Sequence, residues 1–179
     1  GGEAVADVLF GDHNPSGKLP VTFYKDTTQL PGFEDYTMKG RTYRYLKSAP
    51  LFPFGYGLSY TNFSIGNAQV NKNEIRGNEN VQLTIPVSNT GSKDGTEVVQ
   101  VYVRQANDTT GLNKTLKGFR RVEVAKGKTV NALIDLPYSS FEFFDEKAVQ
   151  LKVIPGEYQI FYGNSSDPRD LKTIKINVL

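Results

Sequence analysis

Cysteine is absent from the 179-residue chain. That excludes disulfide staples, zinc–thiolate sites and cysteine nucleophiles together. Histidine occurs once, as His13 beside Asp12 and Asn14 in a turn-like stretch. One imidazole with no second His and no Cys builds neither a nucleophilic triad nor a metal centre, so His13 reads as a surface turn residue. Long apolar runs are missing too: the longest reach three or four residues, too short for a helix to span a bilayer. Charge of one sign is not in excess. Lys and Arg number 21 against 19 Asp and Glu, the formal net charge is +2, and no basic run reaches five residues, which argues against a nucleic-acid surface. The opening Gly-Gly-Glu-Ala has neither a charged n-region nor an apolar h-region of a secretory signal, and it lacks an initiator Met. The expectation is a piece cut from something longer. Sequons at Asn62, Asn107, Asn113 and Asn164 are the number expected by chance in an Asn-rich chain.

Three stretches of different character follow one another. Ala4, Val5, Val8 and Leu9 recur at helical spacing and Gly11 stands where a helix C-cap wants glycine, predicting one short helix of about two turns. Its apolar face has no obvious partner in the chain, so mobility or opportunistic docking is expected. From Pro20 to Pro53 neither period appears. Prolines, glycines and aromatic residues alternate there, from Phe23 and Tyr24 through Tyr43 and Tyr45 to Tyr60. Proline and glycine break helices and central strands, whereas so many rings do not suit a solvated linker. The reading is an extended arm that lies on a folded surface and buries rings as it goes.

After Thr61 the period becomes two. Val81, Leu83, Ile85 and Val87 alternate with polar residues, as do Val99, Val101 and Val103, then Val122 and Val124, and Val130, Ala132, Ile134 and Leu136. Leu151 and Val153, then Tyr158, Ile160 and Tyr162, and finally Ile174, Ile176 and Val178 complete the series. Seven or eight such runs in about 100 residues, separated by Asn-Thr-Gly-Ser, Lys-Gly-Lys and Pro-Gly turns, predict an antiparallel β-sandwich whose sheets each keep one wet face. Pro86 inside a run predicts an edge strand or a bulge. The fold class is therefore all-β, with a short helix and an aromatic-rich extended arm ahead of the sandwich.

The motifs are more specific than the periods. Gly1-Gly-Glu-Ala-Val-Ala-Asp-Val-Leu-Phe-Gly-Asp12, Asn14-Pro-Ser-Gly-Lys-Leu-Pro20, Gly40-Arg-Thr-Tyr-Arg-Tyr45 and Pro53-Phe-Gly-Tyr-Gly-Leu-Ser-Tyr-Thr61 stand in order. Asn89-Thr-Gly-Ser-Lys-Asp-Gly-Thr-Glu-Val-Val-Gln-Val-Tyr-Val103, Lys117-Gly118-Phe119 and Pro155-Gly-Glu-Tyr158 follow. The series resembles the C-terminal region of family 3 glycoside hydrolases, the multidomain β-glucosidases and β-xylosidases, closing in their immunoglobulin/fibronectin type III-like domain. The resemblance covers nearly the whole chain. It implies a division into residues 1–22, the end of a truncated α/β domain, 23–61, a linking arm, and 62–179, the sandwich. It also implies a retaining reaction whose Asp nucleophile and Glu acid/base lie upstream. No position here matches either motif, so no catalytic residue is carried over. The implied partners are the catalytic domains of the parent chain and, through them, a β-linked oligosaccharide; a periplasmic or extracellular location is implied in the same way. No cofactor or metal is suggested.

Weighed without the resemblance, the chemistry points the same way. Glycoside hydrolysis needs two carboxyl groups roughly 5 to 9.5 Å apart across the scissile bond. No spacing among the acids singles out a pair: Asp12, Glu34, Asp35, Asp94, Glu97, Asp145, Glu146, Asp167 and Asp170 all stand in turn-like contexts and read as solvated charges. Single Ser-Gly pairs lack a nucleophile elbow, and Gly55-Tyr-Gly57 runs into strand-like sequence where a phosphate cradle needs a helix. Arg41, Tyr43, Arg44 and Tyr45 are the suggestive cluster. Tyr rings stack on sugars and Arg binds hydroxyls or orients a carboxylate, which would suit the rim of an active site or an interdomain contact. The plainer alternative, which packing favours, is that they pin the arm. Asp108 to Lys114 reads as a solvent loop, with a reach toward catalytic domains as the second reading. Three functions compete: a non-catalytic C-terminal module that packs on and stabilises a glycosidase, an independent carbohydrate-binding or adhesion sandwich, and a self-sufficient small hydrolase, against which the missing carboxylate motifs argue. The long arm favours the first.

Overall fold

The structure, a computed structural model, describes residues 1–145 and 148–179; Glu146, among the turn acids above, lies outside the described residues. Gly2–Phe10 form helix α1, and Gly11 ends it at φ 85°, donating its N–H to the Val8 carbonyl. That left-handed geometry is the reason for glycine at the position. No residue of α1 is buried, and Leu9 and Phe10 are 73% and 83% exposed.

The arm is irregular, as the sequence predicts. A 3-10 turn at Thr27–Gln29 is capped by the Asp26 carboxylate, a single turn of helix (α2) spans Thr42–Tyr45, and an isolated antiparallel bridge joins Phe23 to Phe52. Ring burial is uneven. Tyr43, Phe54 and Tyr56 are half-buried, whereas Phe33 and Tyr36 are 94% and 87% exposed, so the expectation of a ring-burying arm holds for one part of it only.

Eleven strands follow among the described residues: β1 (Phe63–Ile65), β2 (Gln69–Val70), β3 (Glu74–Ile75), β4 (Val81–Asn89), β5 (Gly95–Gln105), β6 (Thr115–Val124), β7 (Thr129–Leu136), β8 (Glu142–Asp145), β9 (Gln150–Val153), β10 (Gly156–Gly163) and β11 (Leu171–Val178). In one sheet β4 pairs with β7 on one side and with β1 and β2 on the other. The second sheet has the order β3-β11-β10-β5-β6, antiparallel except for the parallel pair β3·β11. β8 and β9 form a separate hairpin. The alternating residues read from the sequence become the shared core: Val81, Leu83, Ile85 and Val87 of β4 join Val99, Val101 and Val103 of β5 and Tyr158 and Ile160 of β10, all at 0% exposure. Each such aliphatic side chain contributes about 1.5–3 kcal/mol through its burial. The fold is the immunoglobulin/fibronectin III-like sandwich.

One local expectation is narrowed and another is corrected. Of the two alternatives for Pro86 the edge strand is excluded, because β4 has neighbours on both sides. The irregularity lies opposite it: Ile65 pairs with Val87 and Gln69 with Thr84, one extra residue on the neighbouring side. The Pro86 carbonyl accepts from Gly66 N–H in the gap between β1 and β2, so the missing N–H faces a break in the neighbouring ladder and leaves no bond unmade. The correction concerns the wet face. The outer side of β5 is dry, with Gln100 and Tyr102 at 3% and 0% exposure, because the arm lies over them.

Candidate functional site

The motifs that are far apart in the chain meet in space, where they clamp the arm to the sandwich. Asn14 donates from Nδ2 to the Asp94 carbonyl (2.9 Å) while its Oδ1 accepts from Ser59 Oγ (3.0 Å) and Tyr60 N–H (2.8 Å). Thr61 Oγ1 donates to Asn89 Oδ1 (2.6 Å), and Asn89 Nδ2 donates to the carbonyls of Lys93 (2.8 Å) and Val124 (2.9 Å). Gln100 donates to the carbonyls of Gly55 (3.1 Å) and Asn164 (2.8 Å) and accepts from Tyr102 OH (2.6 Å). A Cβ on Gly55 would lie 1.9 Å from Gln100 Oε1, and the residue stands at φ 78°, so this glycine is required twice over. Lys18 pairs with Glu97 at 2.7 Å. Glu97, read from the sequence as a solvated turn charge, lies in β5 at 5% exposure, held also by Val98 N–H (2.7 Å) and Asn164 Nδ2 (3.3 Å). A buried carboxylate survives because those partners replace its water.

The four residues singled out in the sequence lie at one place. Arg41 precedes α2, with its guanidinium donating to the carbonyls of Asp35 and Thr37 and so closing the turn that leads in. Tyr43 stacks on Phe54 with ring centres 4.5 Å apart, meets Tyr102 edge-on at 5.6 Å, and receives Leu116 N–H on its hydroxyl (3.1 Å). Arg44 lies over the Tyr45 ring at 5.8 Å, and its buried Nε makes no hydrogen bond among the described residues. All four are half-buried.

Sequence reasoning missed Asn113 and Lys114. Asn113 fastens the loop before β6 to the arm: its N–H donates to the Arg44 carbonyl (2.6 Å) and its Nδ2 to the Leu46 carbonyl (2.8 Å), while Lys47 Nζ donates to its Oδ1 (2.9 Å). Leu112 and Lys114 are 4% and 6% exposed, so the second half of the Asp108–Lys114 loop is packed, contrary to the solvent-loop reading. No periodicity marks such a loop, since its order comes from a distant segment.

Between the arm and the outer face of β5, β10 and β11 runs a cleft of about 720 Å³. Five cations (Lys25, Lys47, Arg104, Lys114 and Arg169) and one carboxylate, Asp167, line it. Burial lowers the Lys114 ammonium to about 8, against a smaller opposing pull from Asp167. Asp167 is held below the usual carboxylate range, first by its hydrogen bonds from Arg169. Among the described residues no cluster of three or more His, Cys, Asp or Glu could hold a metal ion. His13 is exposed, and its N–H donates to the Asp7 carbonyl (3.0 Å).

A sandwich of this topology is a fibronectin type III-like fold, here with an arm clamped across one sheet. Residues 1–60 match the glycosyl hydrolase family 3 C-terminal domain and residues 97–166 the fibronectin type III-like domain. The chain belongs to the family 3 glycosyl hydrolases, in their C-terminal region. It is 53% identical over 178 residues to a xylan 1,4-β-xylosidase of Xylanibacter ruminicola, covering 99% of this chain and 20% of that one. A periplasmic β-glucosidase of Salmonella typhimurium is 35% identical, covering 93% of this chain and 23% of the relative. A β-glucosidase structure from Erythrobacter marinus superimposes with a TM-score of 0.84 at 37% identity, covering 100% of this chain and 24% of that one. The chain thus spans about a fifth to a quarter of the relatives' length.

Proposed function

We propose that this chain is the non-catalytic C-terminal module of a retaining glycosidase acting on β-xylosides or β-glucosides, which packs on the catalytic domains and stabilises them. One observation carries the reading: residues of the ordered motifs clamp the arm to the sandwich, as in Asn14–Asp94 and Lys18–Glu97. The exposed Leu9, Phe10, Phe33 and Tyr36 supply the apolar surface that such a module would bury. Residues 1–22 would complete an α/β domain, 23–61 would link, and 62–179 would form the sandwich. Arg41, Tyr43, Arg44 and Tyr45 serve as interdomain or active-site-rim contacts: Tyr43 fixes α2 on the sandwich, which sets the positions of Arg44 and Tyr45. The xylosidase name of the 53%-identical relative favours xylosides among the two substrates.

The test is hydrolysis of nitrophenyl β-xyloside and β-glucoside by this chain and by the longer chain that includes the upstream domains. Activity in the longer chain alone, with the xyloside preferred, is the expected result. Turnover by the 179-residue chain itself would sink the proposal.

A further inference from the structure

The cationic cleft contains charges that the fold of this chain does not explain. Lys114 is 6% exposed, yet its ammonium makes no hydrogen bond or ion pair among the described residues; the Tyr102 ring lies 5.8 Å away, and the attraction of Asp167 is smaller than the cost of burial. Arg104, on the outer face of β5, also lines the cleft, with no ion pair and no hydrogen bond from its buried Nε among the described residues. The one carboxylate present, Asp167, is committed to Arg169 through bonds of 2.7 and 3.0 Å. Burying a cation without a counter-charge is costly, and native interiors normally pair it. Asp167 also attracts Lys114 but is shared with Arg169, so the five cations of the cleft wall have one carboxylate between them.

We infer that the cleft is a carboxylate-binding site, and that its occupant is an aspartate or glutamate side chain from the catalytic part of the longer glycosidase, received by Lys114 and Arg104. The inference rests on the proposed module function. It deepens it by naming the polar anchor that supplements the exposed apolar surface. Arg104 offers a planar fork of donors and Lys114 a point charge, a combination that suits one carboxylate. The remainder of the relatives' length, about three-quarters or more, is available to supply it. Charge complementarity selects an acidic side chain, because the cleft lining carries five cations against one anion.

Two measurements on this chain and on the longer chain test the inference. Trace acetylation of lysines and hydroxyl-radical footprinting of Phe10 are read together by mass spectrometry. Protection of Phe10 together with Lys114 labelling slowed by about tenfold, one pKa unit in free-energy terms, is the expected result for the longer chain. Phe10 protected with Lys114 still labelling freely would overturn the carboxylate site and leave the module function standing. Neither protected would overturn both. The second measurement separates a carboxylate from mere coverage. Lys114→Met should raise the unfolding temperature of this chain, by removing an unpaired buried charge, and lower that of the longer chain, by stranding the carboxylate. Lys114→Arg should spare the longer chain. A rise in both chains on Lys114→Met would show that no carboxylate is there.

Discussion

Asn89 shows what one side chain can carry. It ends β4, is 2% exposed, and makes four bonds through its amide: two donated to backbone carbonyls, and two accepted from Thr61 Oγ1 and Gly91 N–H. Three of the partners belong to turns that would otherwise leave polar groups dry. Asn89→Ala strands several of them, and each unsatisfied buried group costs about 1–3 kcal/mol. A loss of roughly 3 kcal/mol in urea unfolding is expected. A loss under about 0.5 kcal/mol, the range of an ordinary surface substitution, would refute the hub role. Asn14 does similar work at the surface, where water can replace its partners, so the same change there should cost less.

At the scale of elements, the arm is held by shape as much as by bonds. The segment Pro53–Thr61 packs closely at two glycines: a Cβ on Gly55 would lie 1.9 Å from the Gln100 side chain of β5, and one on Gly57 would lie 2.4 Å from the Gly17 carbonyl oxygen in the turn before the arm. Tyr43 and Phe54 then fill the space between arm and sheet with stacked rings. Such a pair adds about 0.5–1.5 kcal/mol beyond its buried area. Gly55→Ala meets both a positive φ and the Gln100 side chain, so it should detach the arm and leave the sandwich core intact. Limited proteolysis measures this. Faster cleavage between Pro20 and Pro53, with the resistant sandwich fragment unchanged, is the expected pattern. Equal cleavage rates in the two proteins would mean that the arm is held some other way.

For the whole molecule, titration of buried groups gives stability a defined pH profile. Lys114 is lowered to about 8 by burial, and Lys117 is lowered for the same first cause. Above pH 8 the folded chain therefore gives up a proton that the unfolded chain keeps until near 10.5. The unfolded state binds more protons in that window, so stability rises with pH, by at most about 1.4 kcal/mol per unit per group. Tyr102 and Tyr158 act in the opposite sense, because burial raises both. From about pH 10 the unfolded tyrosines ionise and the folded ones do not, which erodes stability. Urea midpoints should therefore climb from pH 8 to about 10 and then fall. Lys114→Met should flatten the climb. A midpoint that is level over pH 8–10 would show that Lys114 is not desolvated in solution.

The alternation of Val81 to Val87, Val99 to Val103 and Val130 to Leu136 determined the sandwich, because a period of two with one apolar set has a single way to hide it. The spacing of Ala4, Val5, Val8 and Leu9 before Gly11 determined α1 for the same local reason. The ordered motifs gave the family. The tertiary structure alone decided what those motifs are for. Nothing near Glu97 in sequence announces Lys18, and nothing near Asn113 announces the carbonyls of Arg44 and Leu46. The short strands β1 to β3 and the parallel pair β3·β11 likewise depend on neighbours far along the chain. Arg41, Tyr43, Arg44 and Tyr45 were legible as a cluster, but whether Tyr43 faced sugar or sheet was not: a ring's partner is set by whichever surface the fold brings to it. Lys114 looked like any loop lysine, since burial of a charge is a property of the surrounding surfaces and not of the residue.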